Sequence, residues 1–281
     1  MTLLQQNQSE NQESYPIPVE DIGNELENAL EACENPSEAV AQVFTDAIAQ
    51  YPNENVAKLW LRGIYDKYQE LNTESSNLQS WRNIGGIAFE KAVVSYYNTR
   101  LPKYLQMKHV SGNPEIQDQL SQLARRQTEI DVSGENFGDA VLLGEHNGEQ
   151  YLYGVVQTMT SFKGRLGDEA WKGELVQDLG LFAPLVTLDS ASNTNNNLEG
   201  EVGQFGNRNV PGRIIEEDGS FTNMYSFNSN TDQTTWSEQP SRNQIWNIGS
   251  SEFDALINDS IEAWSEFIQP MKQTQMYQIE S

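Results

Sequence analysis

One stretch constrains this chain more than any other: Asp139 to Ser161, reading DAVLLGEHNGEQYLYGVVQTMTS. An acid opens an apolar run, Asn147-Gly148 follows, and a second apolar run ends in Gln157-Thr158-Met159-Thr160-Ser161. Asn-Gly between two apolar runs is the signature of a two-residue hairpin turn, because both residues accept positive φ. Alternation along the second strand puts Gln157 and Met159 on one face and Thr158 on the other. The turn returns the end of the second strand to the start of the first, so Asp139 is expected close to Gln157.

The rest of the chain frames this hairpin. Residues 1 to 17 are polar and read as a disordered tail. Residues 18–75 read as an all-helical N-terminal domain of three short acidic helices. Ile22, Leu26 and Leu30 share one face, Pro36-Ser37 opens the second helix, and the third starts near Glu54. NTESSN, 72–77, is the candidate linker. Residues 76–281 read as one α/β domain. A long helix over 78–99 carries Trp81, Ile84, Ala88 and Ala92 at helical spacing, with Glu90 beside that stripe. Strands are expected at 128–132, 140–145 and 151–160. A helix over 168–179 follows, with Trp171, Leu175 and Val176 on one face, and then a buried strand over 181–188 (LFAPLVTL). This order implies a mixed sheet flanked by helices. Residues 189–211 form a polar Asn- and Gly-rich loop too long to be a mere connection. A hairpin about Asp218-Gly219 and an amphipathic helix over 251–268 complete the reading.

An acid and an amide oxygen at the corner of the hairpin suit magnesium, which takes hard oxygen ligands and keeps several waters. Asp139 and Gln157 are the expected ligands, and Glu90 on the preceding helix adds a third oxygen. Asp131, in Glu129-Ile130-Asp131, competes with Asp139 for the first position. The alternative is that Asp139 caps a strand while Gln157 and Met159 are ordinary edge and core residues. Arg125-Arg126 reads either as a solvated helix end or as a phosphate contact.

The run Val155-Val156-Gln157-Thr158-Met159-Thr160-Ser161-Phe162-Lys163-Gly164-Arg165 resembles a segment, V-I-x-x-K-T-S-x-[RK]-x-R, of PD-(D/E)xK type II restriction endonucleases. It is most similar to the BsaWI-like, CCGG-cutting branch. The resemblance implies a restriction-endonuclease-like core, Mg2+-dependent cleavage of double-stranded DNA at a specific site, and a homodimer or higher homo-oligomer acting on a palindrome. It implies that Glu90, Asp139, Gln157 and the residue at 159 form the catalytic set. It also implies that Lys163 and Arg165, with Asp168 or Glu169 as the nearby acid, contact bases; Arg125 and Arg126 remain candidate contacts to the DNA backbone. Two positions depart from the family. Gln157 replaces the motif carboxylate, and Met159 stands where the catalytic lysine belongs, offering a thioether with no donor. Lys91 and Lys163 are the candidate substitute amines. A nuclease fold that only binds DNA, and an acidic α/β protein with no DNA role, remain the alternatives.

Composition limits the setting. With 17 basic and 41 acidic residues the formal charge is −24. That sign opposes a polyanionic partner, unless the protein works in concentrated salt, where screening reaches only about 3 Å at 1 M. The even spread of acids suits such a halophilic source. Cys33 is the single cysteine, and His109 and His146 are the two histidines, which argues against disulfides and zinc. No apolar run approaches a membrane span, and the N-terminus lacks the basic start and apolar core of a signal peptide, so a cytoplasmic protein is expected.

Overall fold

Two helix starts in the N-terminal third are set by asparagines. The Asn35 side chain accepts from the Ser37 amide at 3.1 Å, with Pro36 in the first helical position where no amide is needed. Asn55 does the same for the Ala57 amide at 3.0 Å. In this computed structural model the described residues are 19–71, 77–111, 113–128, 138–162, 166–190, 198, 200–235, 243–248 and 255–279.

The helices α1 (Val19–Ala32), α2 (Pro36–Gln50) and α3 (Val56–Lys58) come first; α3 runs through a π-helical stretch, Leu59–Tyr65, into α4 (Asp66–Leu71). After α5 (Asn77–Asn98) come β1 (Leu105–His109), α6 (Pro114–Thr128), β2 (Ala140–His146), β3 (Glu149–Met159) and α7 (Leu166–Asp178). The chain continues with β4 (Pro184–Thr187), β5 (Gly203–Gln204), β6 (Asn207–Arg208), α8 (Val210–Arg213), a π-helical turn Ile214–Asp218, β7 (Asn223–Ser226), β8 (Gln244–Asn247) and α9 (Ala255–Ile279).

The six-stranded sheet has the order β1-β2-β3-β4-β7-β8. Its first three strands are antiparallel and its last four, from β3 onward, are parallel, so β3 belongs to both halves. Asn147 and Gly148 make the β2–β3 turn with φ of 54° and 82°, and His146 pairs with Glu149. β4 is buried at every position, as a parallel strand covered on both faces must be. Leu185 and Val186 are each fully buried, worth about 1.5–3 kcal/mol apiece.

The two faces have separate cores. Val156, Val186, Tyr225 and Phe227 pack with α5 and the N-terminal helices, in one cluster that includes Phe44, Trp60 and Phe89. Rings link Phe44 to Trp60 at 4.7 Å, Trp60 to Trp81 at 5.5 Å and Phe89 to Phe227 at 6.2 Å, so the N-terminal helices, α5 and the sheet share one apolar interior. On the other face Val141, Val155, Leu175 and Val176 form a second cluster, and Met159, Leu166, Leu185, Phe221 and Met224 a third.

Three expectations need correction. Residues 213–227 are not a hairpin: the chain is helical to Asp218, Gly219 ends the helix with φ of 73°, and β7 then runs parallel to β4. The Asp-Gly pair is a helix stop rather than a strand turn. Thr128 ends α6 rather than opening a strand, while the remainder of that expected strand, with Asp131, lies outside the described residues. Trp171 is 42% exposed, because α7 meets the sheet through Leu166, Ala170, Gly173 and Val176 instead. A Cβ on Gly173 would lie 2.2 Å from the Ser220 carbonyl oxygen, so the helix sits close on that side.

Candidate active site

The site begins where β3 outlasts β2. β2 starts at Ala140 opposite Val156, whereas from Gln157 onward β3 pairs with β4 on its other side. The notch left beside Thr158 is filled by Asp139. Its backbone is held twice: its amide donates to the Val156 carbonyl at 3.0 Å and its carbonyl accepts from the Val110 amide at 2.9 Å. Its Oδ2 accepts from the Thr158 amide at 2.7 Å and from the Thr158 hydroxyl at 3.0 Å. Among the described residues no hydrogen bond falls on Oδ1.

Burial pushes the Asp139 carboxyl up to about 6, and the nearby charge of Glu90 pushes the same way. The two Thr158 bonds oppose the shift, and Glu169 adds a further upward push. The charges of Glu90 on α5 and, more weakly, of Glu169 on α7 thus both reach the Asp139 carboxyl.

Glu90 is itself held. Its Oε2 lies 2.7 Å from His109 Nε2, with both side chains less than a fifth exposed. His109 Nδ1 lies 3.2 Å from the Ser111 carbonyl oxygen. Both partners are acceptors, which favours the ring protonated on both nitrogens. The bond to Glu90 raises the His109 pKa, burial opposes it, and the Glu90 charge adds to the rise.

Gln157 is 2% exposed, and its Nε2 lies 3.6 Å from where a Cβ on Gly138 would stand, so the amide sits beside the residue preceding Asp139. By strand alternation Gln157 shares the α7 face with Val155 and Met159, while Thr158 shares the α5 face with Val156. Glu90 therefore approaches from one side of the sheet and Gln157 from the other, with Asp139 at the sheet's end between them. Met159 is 3% exposed and packs among Phe162, Leu166, Leu185, Val202 and Met224, an apolar seat.

Lys91 faces away: its Nζ lies 2.9 Å from Glu38 of α2. Glu169 lies on α7, 13% exposed, with its Oε2 3.0 Å from Lys172 Nζ. Lys163 and Arg165 lie outside the described residues, and Arg125 and Arg126 fall on α6 with their side chains outside the description. At the end of the described run that precedes Lys163, Glu201 accepts from the Phe162 amide at 2.5 Å and from the Ser161 hydroxyl at 3.3 Å.

A second buried acid stands on the same edge, at the end of β4. Asp189 has φ of 42° and is fully buried. Its Oδ1 accepts from the Glu201 amide at 2.7 Å and the Val202 amide at 3.3 Å, and its Oδ2 accepts from the Thr231 hydroxyl at 2.6 Å. Burial raises its pKa to about 6 against those bonds. Asn228 donates to its carbonyl at 2.9 Å and accepts from Asn55 of the N-terminal helices at 2.8 Å.

Sequence reasoning missed His109, Thr158, Lys172, Asp189 and Glu201. The Glu169–Lys172 spacing was readable as a helical i,i+3 pair. The Glu90–His109 pair was not, because a helix-to-strand crossover joins them.

Among the described residues no three His, Cys, Asp or Glu side chains have the geometry of a metal-binding group, and no helix is long and apolar enough to cross a membrane. No family model matches the chain. It is 25% identical over 238 residues, 80% of this chain and 83% of the relative, to the type II restriction enzyme AgeI of Thalassovita gelatinovora. The solved complex of restriction endonuclease AgeI with DNA superposes with a TM-score of 0.75 at 21% identity, covering 87% of this chain and 91% of that one. A complex of restriction endonuclease BsaWI with DNA covers 90% and 93% at 14% identity, with a TM-score of 0.49. The mixed sheet flanked by helices is thus the restriction-endonuclease fold.

Proposed function

We propose that this chain, a homologue of type II restriction enzymes that carries their fold, is a type II site-specific deoxyribonuclease that hydrolyses double-stranded DNA with Mg2+. The observation that carries the reading is the Asp139 carboxyl at the notch between β2 and β3: it is buried, Thr158 holds one of its oxygens, no hydrogen bond among the described residues falls on the other, and burial, then the Glu90 charge, raises its pKa. A carboxylate held out of water near the charge of a second one is stabilised by a divalent cation, and every donor proposed here is a hard oxygen. Asp139, Glu90 and the Gln157 amide are the ligands proposed. When bound, the metal supplies charge neutralisation at the scissile phosphate and acidifies a bound water.

The chain's own residues do the rest. Thr158 aims the Asp139 carboxylate through two bonds to one oxygen, leaving Oδ1 for the ligand. His109 holds Glu90 by one oxygen in the same manner and offsets part of the local negative charge. Glu201 fixes the exit of β3, from which Lys163 and Arg165 reach bases, with Arg165 suited to guanine O6 and N7. Arg125 and Arg126 contact phosphates. A homodimer reads a palindrome by matching its two-fold axis. The excess of acids suits cytoplasm rich in salt, as in a halophile.

The test is a digest of a large phage genome across a salt series. Discrete fragments with Mg2+, none with chelator, and none for Asp139→Ala that still shifts duplex DNA are expected. A second reading rests on the apolar seat of Met159: a protein that binds its site but cuts poorly. Binding without fragments in the same series identifies it.

A further inference from the structure

A nuclease site of this kind needs a cation beside the attacking water, and Met159, buried among apolar side chains, supplies none. The lysines that the structure pairs divide into two groups. Lys67 and Lys91 hold Glu27 and Glu38 in the N-terminal helices. Lys172 holds Glu169, whose charge reaches Asp139, at 3.0 Å, and the two side chains are only 18% and 13% exposed. Burying most of a lysine stem and its acid costs desolvation, which an isolated surface pair does not incur. The helix that carries them packs against β3. On that face Leu166 joins Met159 in one cluster, so the start of α7 lies over the strand position that lacks the amine.

We infer that Lys172, presented from α7 by Glu169, is the catalytic amine of this site, taking over from helix the place that Met159 leaves empty on the strand. The inference rests on the nuclease reading above. Its chemistry is hydrolysis without redox change. The water oxygen bonds to phosphorus, the P–O bond to the leaving nucleoside breaks, the leaving oxygen takes a proton from solvent, and the proton lost by the water passes to solvent. Throughout, the Lys172 ammonium donates a hydrogen bond to the attacking oxygen and stabilises the negative charge that grows on it. Glu169 keeps the ammonium extended toward that point until the phosphate arrives.

The test compares single-turnover cleavage with Mg2+, and duplex binding without metal, for the parent, Lys172→Met and Lys172→Arg, with thermal unfolding of each as a fold control. Lys172→Met keeps the stem's bulk, and is expected to bind cognate DNA within about threefold of the parent while cutting at least about 10²-fold more slowly. Lys172→Arg keeps the ion pair with Glu169 and therefore the fold. It is expected to lose at least about tenfold, since a guanidinium's donors are fixed in a plane. A parent-like rate in either folded variant overturns the inference. Amine replacement closes the experiment: Lys172→Cys in a Cys33→Ala background, alkylated with 2-bromoethylamine, regains at least tenfold in rate, whereas a folded protein with no gain overturns the assignment. If the parent neither binds nor cuts the phage DNA, the nuclease reading has failed and the inference fails with it; if the parent cuts and Lys172→Met cuts equally well, the inference alone fails.

Discussion

Two buried aspartates stand on one edge of the sheet, and both have pKa values raised to about 6. Asp189 is met on both oxygens by two amides and a hydroxyl, and through Asn228 it is joined to the N-terminal helices. Asp139 is met on one oxygen only, and acids from α5 and α7 add to its shift. Burial is the largest cause at each, and a like charge adds to both, Glu201 at Asp189 and Glu90, then Glu169, at Asp139. The difference lies in their oxygens: among the described residues donors meet both oxygens of Asp189 but only Oδ2 of Asp139, so on the proposed function Oδ1 is left for a cation. A raised pKa therefore does not by itself separate a ligand site from a structural knot; an oxygen left without a donor does.

The comparison is most easily broken at the Asp189 knot. A Cβ on Gly200 would lie 2.3 Å from Asp189 Oδ2. Gly200→Ala should cost about 1–3 kcal/mol, read as a lowered urea midpoint at unchanged slope; an unaltered midpoint would mean that the loop is loosely held.

Next come the two isosteric changes. An acid whose pKa is higher in the fold than in the unfolded chain stabilises the fold fully below its ordinary pKa, near 3.8, and loses that stabilisation as pH rises through the folded value, about 6. Without metal, stability should fall between those two pH values. Asp139→Asn and Asp189→Asn should each raise stability at pH 7 by about 1 kcal/mol or more, and each should flatten part of the slope. An amide keeps an acceptor for the backbone donors in both places, and Thr231, which also bonds Ser226, has freedom to turn its hydroxyl. Unfolding curves at a series of pH values decide this, and a parent that gains stability from pH 4 to 6 contradicts it.

The smallest effect concerns the aim of Asp139. Thr158→Val removes one of the two bonds to Oδ2 and keeps the amide bond. About 1 kcal/mol of stability and up to about tenfold in cleavage should be lost, measured by unfolding and single-turnover rate. Equal cleavage would show that the Thr158 amide alone aims the carboxylate.

Legibility in the sequence followed how local each cause was. The hairpin was readable because Asn147-Gly148 determines the turn and so the register. α2 and α5 were readable from apolar spacing, and β4 from an unbroken apolar run. β1 escaped because five residues alternating at an edge carry little signal, and α6 because its polar face dominates. Asp218-Gly219 misled because one dipeptide serves both hairpins and helix ends. At the site, Asp139 and Gln157 were named from strand geometry. Glu90 was named with them, but its clamp, His109, required α5 and β1 to meet, which only packing decides. The saturation of Asp189 is likewise tertiary, since its donors come from residues 201, 202 and 231.

The most direct test of the account sets the two aspartates against each other in one assay. Single-turnover cleavage of duplex DNA with Mg2+ at pH 7.5 is measured for the parent, Asp139→Asn and Asp189→Asn, each confirmed as folded by its melting curve. The account predicts that Asp189→Asn cuts within about threefold of the parent while Asp139→Asn loses at least about 10²-fold, although both are at least as stable as the parent. Parent-like cleavage by Asp139→Asn, or loss of cleavage confined to Asp189→Asn, would contradict it.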